Sequence, residues 1–230
     1  MKQLKHHLLC YCLILTILSL KAQEPGNNNH QQNEKGTRIF FDNFSKDTVG
    51  KSPSNWESNV YGEVVTLKNY PGKWLKMHAG GTYLIQFNQT MPTAFSVEFD
   101  FIYQALGTDY NVTEIAIFEK KQGDTYDDFF PGNKGIKIFL ENFIVSYLCY
   151  NQQKADDKKA MEHRTNIIRT NKKVKVLIEV NNQQIKLYVN QQKFLEATIC
   201  LGNMQFNAMR FHLWGSQAEP LISDFSIISH

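Results

Sequence analysis

From Thr37 onward, apolar and polar residues alternate with period two along most of the chain. The clearest run is KKVKVLIEVNNQQIKLYVNQQKFLEATI, residues 172–199. Val174, Val176, Ile178 and Val180 alternate with Lys175, Leu177 and Glu179. After Asn181 and Asn182, Ile185, Leu187 and Val189 alternate with Lys186, Tyr188 and Asn190. Successive strand side chains point to opposite faces, so this spacing predicts a three-stranded meander with Asn turns and one buried face. Upstream, RIFFDNF, YGEVVTLK, KWLKMH, GTYLIQF, AFSVEFDFIY, VTEIAIFEK, GIKIFLE and NFIVSYLCY read as further strands. NAMRFHLWG and PLISDFSIIS read as the last two. Helical spacing is nearly absent, and ADDKKAMEHR, residues 155–164, reads as a short helix or a charged loop. Many short strands between turn signals predict an all-β, antiparallel two-sheet sandwich. Arg38–Phe44 and Leu221–Ile228 are expected to pair as neighbouring strands, which brings the domain ends together.

The first 36 residues break this pattern. MKQLKHH is basic, LLCYCLILTILSL is apolar, and Ala22 precedes Gln23, so residues 1–22 read as a signal peptide. The apolar run is too short for a membrane span, and no span is expected after cleavage. Residues 23–36, rich in Asn, Gln, Gly and Pro, read as a disordered polar linker, which leaves 37–230 as the sandwich domain. The formal charge is +3. Lys2, Lys5 and Lys21 account for it, and without them basic and acidic residues balance at 22 each. A neutral domain offers no electrostatic argument for nucleic acid or anionic lipid. An exported protein keeping Cys149 and Cys200 can form one disulfide, although free buried cysteine is the alternative for residues in apolar strands.

The strand, turn and strand "IEVNNQQIKLYVNQQKF" resembles the hairpin of the concanavalin-A-like lectin/glucanase and laminin-G-like sandwiches. That resemblance implies a jelly-roll topology and an extracellular setting. The opening IFFDNFSKDTVGKSPSNWESN, the strand GKWLKM and FSVEFDF resemble a secreted module of Gram-negative bacteria that is often fused to an outer-membrane-protein-A-like, peptidoglycan-binding domain. Together the two likenesses cover nearly all of residues 38–228, and they imply a periplasmic, outer-membrane-associated or extracellular protein. The sequence ends at His230 without that second domain, so the expectation is the sandwich module by itself.

Retaining glucanases of the resembled fold carry Glu-x-Asp-x-x-Glu on one strand, with nucleophile and acid/base about 5 Å apart. Here Glu98 and Asp100 fill the first two places, and Tyr103 fills the third. General acid catalysis needs a positioned proton donor, so no enzymatic activity is expected. The bland reading of SVEFDFIY is a solvated face of Glu98 and Asp100 opposite buried Val97, Phe99, Phe101 and Tyr103.

NAMRFHLWG is the stronger candidate for binding. Alternation puts Arg210, His212 and Trp214 opposite Met209, Phe211 and Leu213. A core-facing Arg–His pair would be costly to desolvate, so the trio is expected to face outward. On a concave sheet shared with Glu98 and Asp100 it would form a sugar-binding surface, with a ring stacked on Trp214 and charged groups meeting hydroxyls. An exposed face with Trp214 covering a sheet edge is the alternative. Trp56 is read as a plug at the sandwich end, and Trp74 as packing under a loop. The loop at residues 120–135 carries Asp124, Asp127 and Asp128. A solvated loop is the favoured reading there, and a Ca²⁺ site through carboxylate oxygens is the other. No zinc spacing, phosphate loop or catalytic Cys–His signature is present, so no other cofactor is implied. The expected function is an exported, non-catalytic carbohydrate-binding module. Its rival is a cell-envelope module that binds a protein or has a structural role.

Overall fold

The computed structural model describes residues 36–230 except 88, 105–111, 122, 124–130, 133, 142–143, 152–153, 156–162, 165–170, 182, 200–204 and 216–218. These residues fall within one compact unit, Asn33–His230. They contain sixteen strands and no helix, arranged as two eight-stranded antiparallel sheets.

The first sheet runs β14 (Gln192–Thr198), β13 (Gln184–Val189), β12 (Lys173–Asn181), β6 (Ala94–Ile102), β16 (Leu221–Ser229), β4 (Lys73–Lys76) and β3 (Glu63–Thr66). Its eighth strand, β1 (Thr37–Asp42), pairs with β16 from Thr37 opposite Ser229 to Asp42 opposite Phe225. The expected pairing of the domain ends is therefore present. The second sheet runs β10 (Lys154–Ala155), β9 (Ile144–Asn151), β8 (Lys134–Glu141), β7 (Val112–Phe118), β15 (Ala208–Trp214), β5 (Thr82–Ile85) and β2 (Trp56–Ser58). There β11 (His163–Arg164) pairs with β9. In the stretch 155–164, the residues at each end thus lie in short strands, and 156–162 fall outside the described residues.

Alternation works locally as the sequence suggests. Val174, Val176, Ile178 and Val180 of β12 are buried, and Lys173 and Lys175 are exposed. The turn from β13 to β14 places Asn190 and Gln191 at φ 49° and 69°. Two successive left-handed residues match the right-handed strand twist, and Asn tolerates that region. The Asn190 side chain also accepts the Lys175 N–H at 2.9 Å, which fixes the turn against β12.

The core between the sheets is strongly aromatic. Phe99 lies 5.4 Å from Phe211 and 6.0 Å from Phe225, centroid to centroid, so β6, β15 and β16 interlock across the sandwich. Trp56 closes this cluster from β2, 5.5 Å from Phe225. Its indole N–H donates to Asp42 Oδ2 at 3.0 Å, and Asp42 Oδ1 accepts the Phe44 N–H at 2.9 Å. Asp42 and Trp56 of the opening motif are thus partners, a carboxylate and an indole tying β1 to the edge strand β2. Trp74 is buried in a separate small cluster with Ile102 and Leu221.

Candidate functional site

The expected surface of Glu98, Asp100, Arg210, His212 and Trp214 does not assemble. β6 lies in the first sheet and β15 in the second. Alternation assigns a residue to a face of its strand but carries no information on which sheet the strand joins, because sheet order is set by long-range pairing.

On the first sheet, Glu98 pairs with Lys175 at 3.0 Å and Asp100 with Lys173 at 2.8 Å. Both lysines come from the neighbouring β12, so these are cross-strand ion pairs; Glu98 is half-buried, but Asp100, expected on a solvated face, is buried beside its lysine. Tyr103 is fully buried, 6.5 Å from the Phe101 ring. A carboxylate in its place would face the core rather than Glu98.

On the second sheet, Met209, Phe211 and Leu213 enter the core, and Arg210, His212 and Trp214 occupy the opposite face, as alternation requires. That face is not uniformly exposed. Register places Ala116 and Leu84 beside Arg210, Glu114 and Thr82 beside His212, Lys137 beside Ala116 and Phe139 beside Glu114. Arg210 is 1% exposed, and Glu114 and Lys137 are wholly buried. Desolvation cost favours an exposed Arg210, but a carboxylate partner lowers that cost inside the protein.

Glu114 is the hub. Its Oε1 accepts from Arg210 Nη2 at 3.1 Å, and its Oε2 accepts from Lys137 Nζ at 3.0 Å and from the Trp214 indole N–H at 2.9 Å. Burial pushes the Lys137 ammonium below its ordinary 10.5, Glu114 pulls it back up and Arg210 pushes it down. Around this sealed centre the side chains become accessible, with His212, Trp214 and Phe139 all half-buried. The His212 and Trp214 rings meet edge to face at 4.2 Å, and His212 Nδ1 lies 2.7 Å from Thr82 Oγ1. The indole is therefore fixed at its N–H by a buried carboxylate and along its side by a histidine that is itself held. Glu114 and Lys137 are not among the candidates that alternation singles out. The available signal was a single charge in the middle of each of three apolar strands, in VTEIAIF, GIKIFLE and AMRFHLW, with opposite signs.

Cys149 is disulfide-bonded. Cys200 lies outside the described residues, as do Asp124, Asp127 and Asp128. Among the described residues, no group of three or more His, Cys, Asp or Glu is placed to hold a metal, and no helix is long and apolar enough to cross a membrane.

No protein-family model matches the chain, and no curated protein matches it. Solved structures do. The carbohydrate-binding module CBM66 from Bacillus subtilis superposes with a TM-score of 0.50 at 16% identity, over 79% of this chain and 100% of that one. The potassium-bound carbohydrate recognition domain of Emp46p gives 0.58 at 13% identity, over 84% of this chain and 96% of that domain. A Bacillus subtilis protein of unknown function with a galectin-like fold gives 0.53 at 10% identity, over 84% and 96%. The chain has a lectin-like β-sandwich fold. At these identities the likeness is one of fold, so the function of this lectin-like sandwich must be argued from its own residues.

Proposed function

We propose that the chain is an exported, non-catalytic carbohydrate-binding module that takes sugar on the outer face of its second sheet, around Trp214. The observation that carries this reading is the fixed, half-buried indole. Trp214 presents apolar ring surface while Glu114 Oε2 holds its N–H at 2.9 Å and His212 packs against it at 4.2 Å. A sugar ring packs its C–H face on such a surface, and an aromatic already immobilised loses little further entropy on binding. His212 and Phe139 flank it with a polar edge and a second apolar one. Carbohydrate recognition by CBM66 and by the Emp46p domain on the same fold supports the reading by analogy.

The non-catalytic part rests on Glu98 and Asp100, each engaged by a lysine, and on Tyr103 in the core. Export is supported by the signal-like segment 1–22 and by a disulfide at Cys149, which persists only in an oxidising compartment. We take Cys200 as the second sulfur. It follows β14, and β14 packs against β9, which carries Cys149. Non-reducing peptide mapping should recover the 149–200 pair. The envelope setting implied by the outer-membrane-protein-A-like resemblance belongs to the same proposal.

A glycan array probed with the purified chain tests the function. Specific hits lost in Trp214→Ala support it. A protein partner captured from cell envelopes, with no glycan bound, supports the rival interaction module and overturns it.

A further inference from the structure

A second fixed aromatic stands between β2 and β3. Tyr61 is 55% exposed. Single exposed aromatics are ordinary, but this one is immobilised. Its hydroxyl donates to the Gly50 carbonyl, and its ring stacks on His78 with centroids 6.3 Å apart and planes at 23°. Its own carbonyl accepts from the buried Tyr83 hydroxyl at 3.3 Å, and that hydroxyl in turn accepts the His78 N–H at 2.8 Å. Beneath the stack, His78 Nδ1 lies 3.2 Å from Glu219 Oε1, and Lys76 Nζ lies 2.8 Å from Glu219 Oε2. Like Trp214, Tyr61 thus has its ring against a histidine, although here the rings stack and the carboxylate holds the histidine rather than the aromatic.

Residues 78–82 join the two devices. His78 belongs to the Tyr61 stack, and Thr82 contacts His212 beside Trp214. Between them the Gly80 N–H donates to the Leu213 carbonyl at 3.1 Å, and the Leu213 N–H to the Gly81 carbonyl at 2.9 Å, so the connection is bound to the end of β15. Chain reach limits the Cα atoms of His78 and Thr82 to about 14 Å apart. Gly80 has φ 71°, and a Cβ there would meet nothing within 4 Å, so the space over Gly80 is open. Gly81 differs, since a Cβ there would lie 2.5 Å from a Val60 methyl carbon and 2.7 Å from the Tyr83 ring.

We infer that the binding face is extended. Trp214 and Tyr61 are two platforms on either side of the Gly80 saddle, and together they take a linear oligosaccharide rather than a single sugar. The inference rests on the carbohydrate-binding reading of Trp214 and adds the second platform and the chain-length requirement.

The test is calorimetry of the purified chain with cellulose, xylan and laminarin fragments graded from disaccharide to hexasaccharide. Affinity should rise with length. Tyr61→Ala should remove the rise and weaken the longest fragment about tenfold, while the disaccharide binds as before. Tyr61→Phe, which loses only the bond to Gly50, should keep the rise. Gly80→Asn places a side chain in the saddle at a φ that Asn tolerates, and it should give the same length-selective loss without touching either platform. Equal affinities for wild type, Tyr61→Ala and Gly80→Asn at every length, with Trp214→Ala still weaker, would overturn the extended site and leave the Trp214 reading standing. No binding by any fragment would overturn both.

Discussion

The outer faces of the two sheets treat charge in opposite ways. On the first sheet, Lys173–Asp100 and Lys175–Glu98 are ion pairs whose lysine side chains are 43% and 56% exposed and whose carboxylate side chains are 12% and 29% exposed. On the second, Glu114, Lys137 and Arg210 are sealed, none more than 1% exposed. Both sets follow the same alternation and occupy the same kind of position, the side of a strand turned from the core. Pairs of the first kind contribute about 0–1 kcal/mol, because water screens them and long side chains lose entropy in forming them. A cluster of the second kind makes each member depend on the others, because removing one leaves the rest charged and without water. On the second face the buried charges also hold an aromatic, since Glu114 Oε2 accepts the Trp214 indole N–H at 2.9 Å.

The largest expected effect breaks the comparison at its hub. Glu114→Leu removes the carboxylate that Lys137 and Arg210 share and should cost about 3–5 kcal/mol in urea unfolding. Replacing all three with apolar residues of similar size should recover most of that loss. A cost below about 1 kcal/mol for Glu114→Leu would mean that the second face is as hydrated as the first.

Alkaline pH separates the buried groups by sign. Burial pushes Tyr83 up to about 12, against 10.0 for an ordinary phenol, and burial also raises Tyr147. Their stabilisation is complete below pH 10 and is lost as pH rises through the folded values. Lys137 acts the other way. Its folded pKa is depressed, so burying the ammonium is a penalty at neutral pH, relieved as pH rises toward the unfolded 10.5. The urea midpoint should therefore climb gently on the approach to pH 10 and fall steeply beyond it. Lys137→Met should abolish the climb and keep the fall.

On the first sheet, Glu98→Gln should change stability by less than about 1 kcal/mol, and added salt should shrink even that. A larger loss would show that solvent exposure is not what divides the two faces.

Most of the fold was legible because period two is a local property. The β12–β14 meander and the inward set Val97, Phe99, Phe101 and Tyr103 follow from it, and the β1–β16 pairing follows from the tendency of domain ends to lie together. The short edge strand β2 was not, since its three residues carry no period and Trp56 read as a plug. The sheet to which β6 or β15 belongs was not legible either, because those pairings join residues far apart in the chain. At the site, the face of Arg210, His212 and Trp214 was readable and the burial of Arg210 was not. Glu114, a carboxylate partner of Arg210, lies 96 residues away on β7, beyond the reach of any local pattern.

The central claim is that sugar binds the second face through Trp214. Calorimetry with the strongest glycan from the array tests it most directly, using wild type, Trp214→Ala and Glu98→Gln side by side. Trp214→Ala should lose about 1–3 kcal/mol of binding free energy, and Glu98→Gln should bind as wild type does. Unchanged affinity in Trp214→Ala, or a loss confined to Glu98→Gln, would contradict the account and move the site to the first sheet or elsewhere.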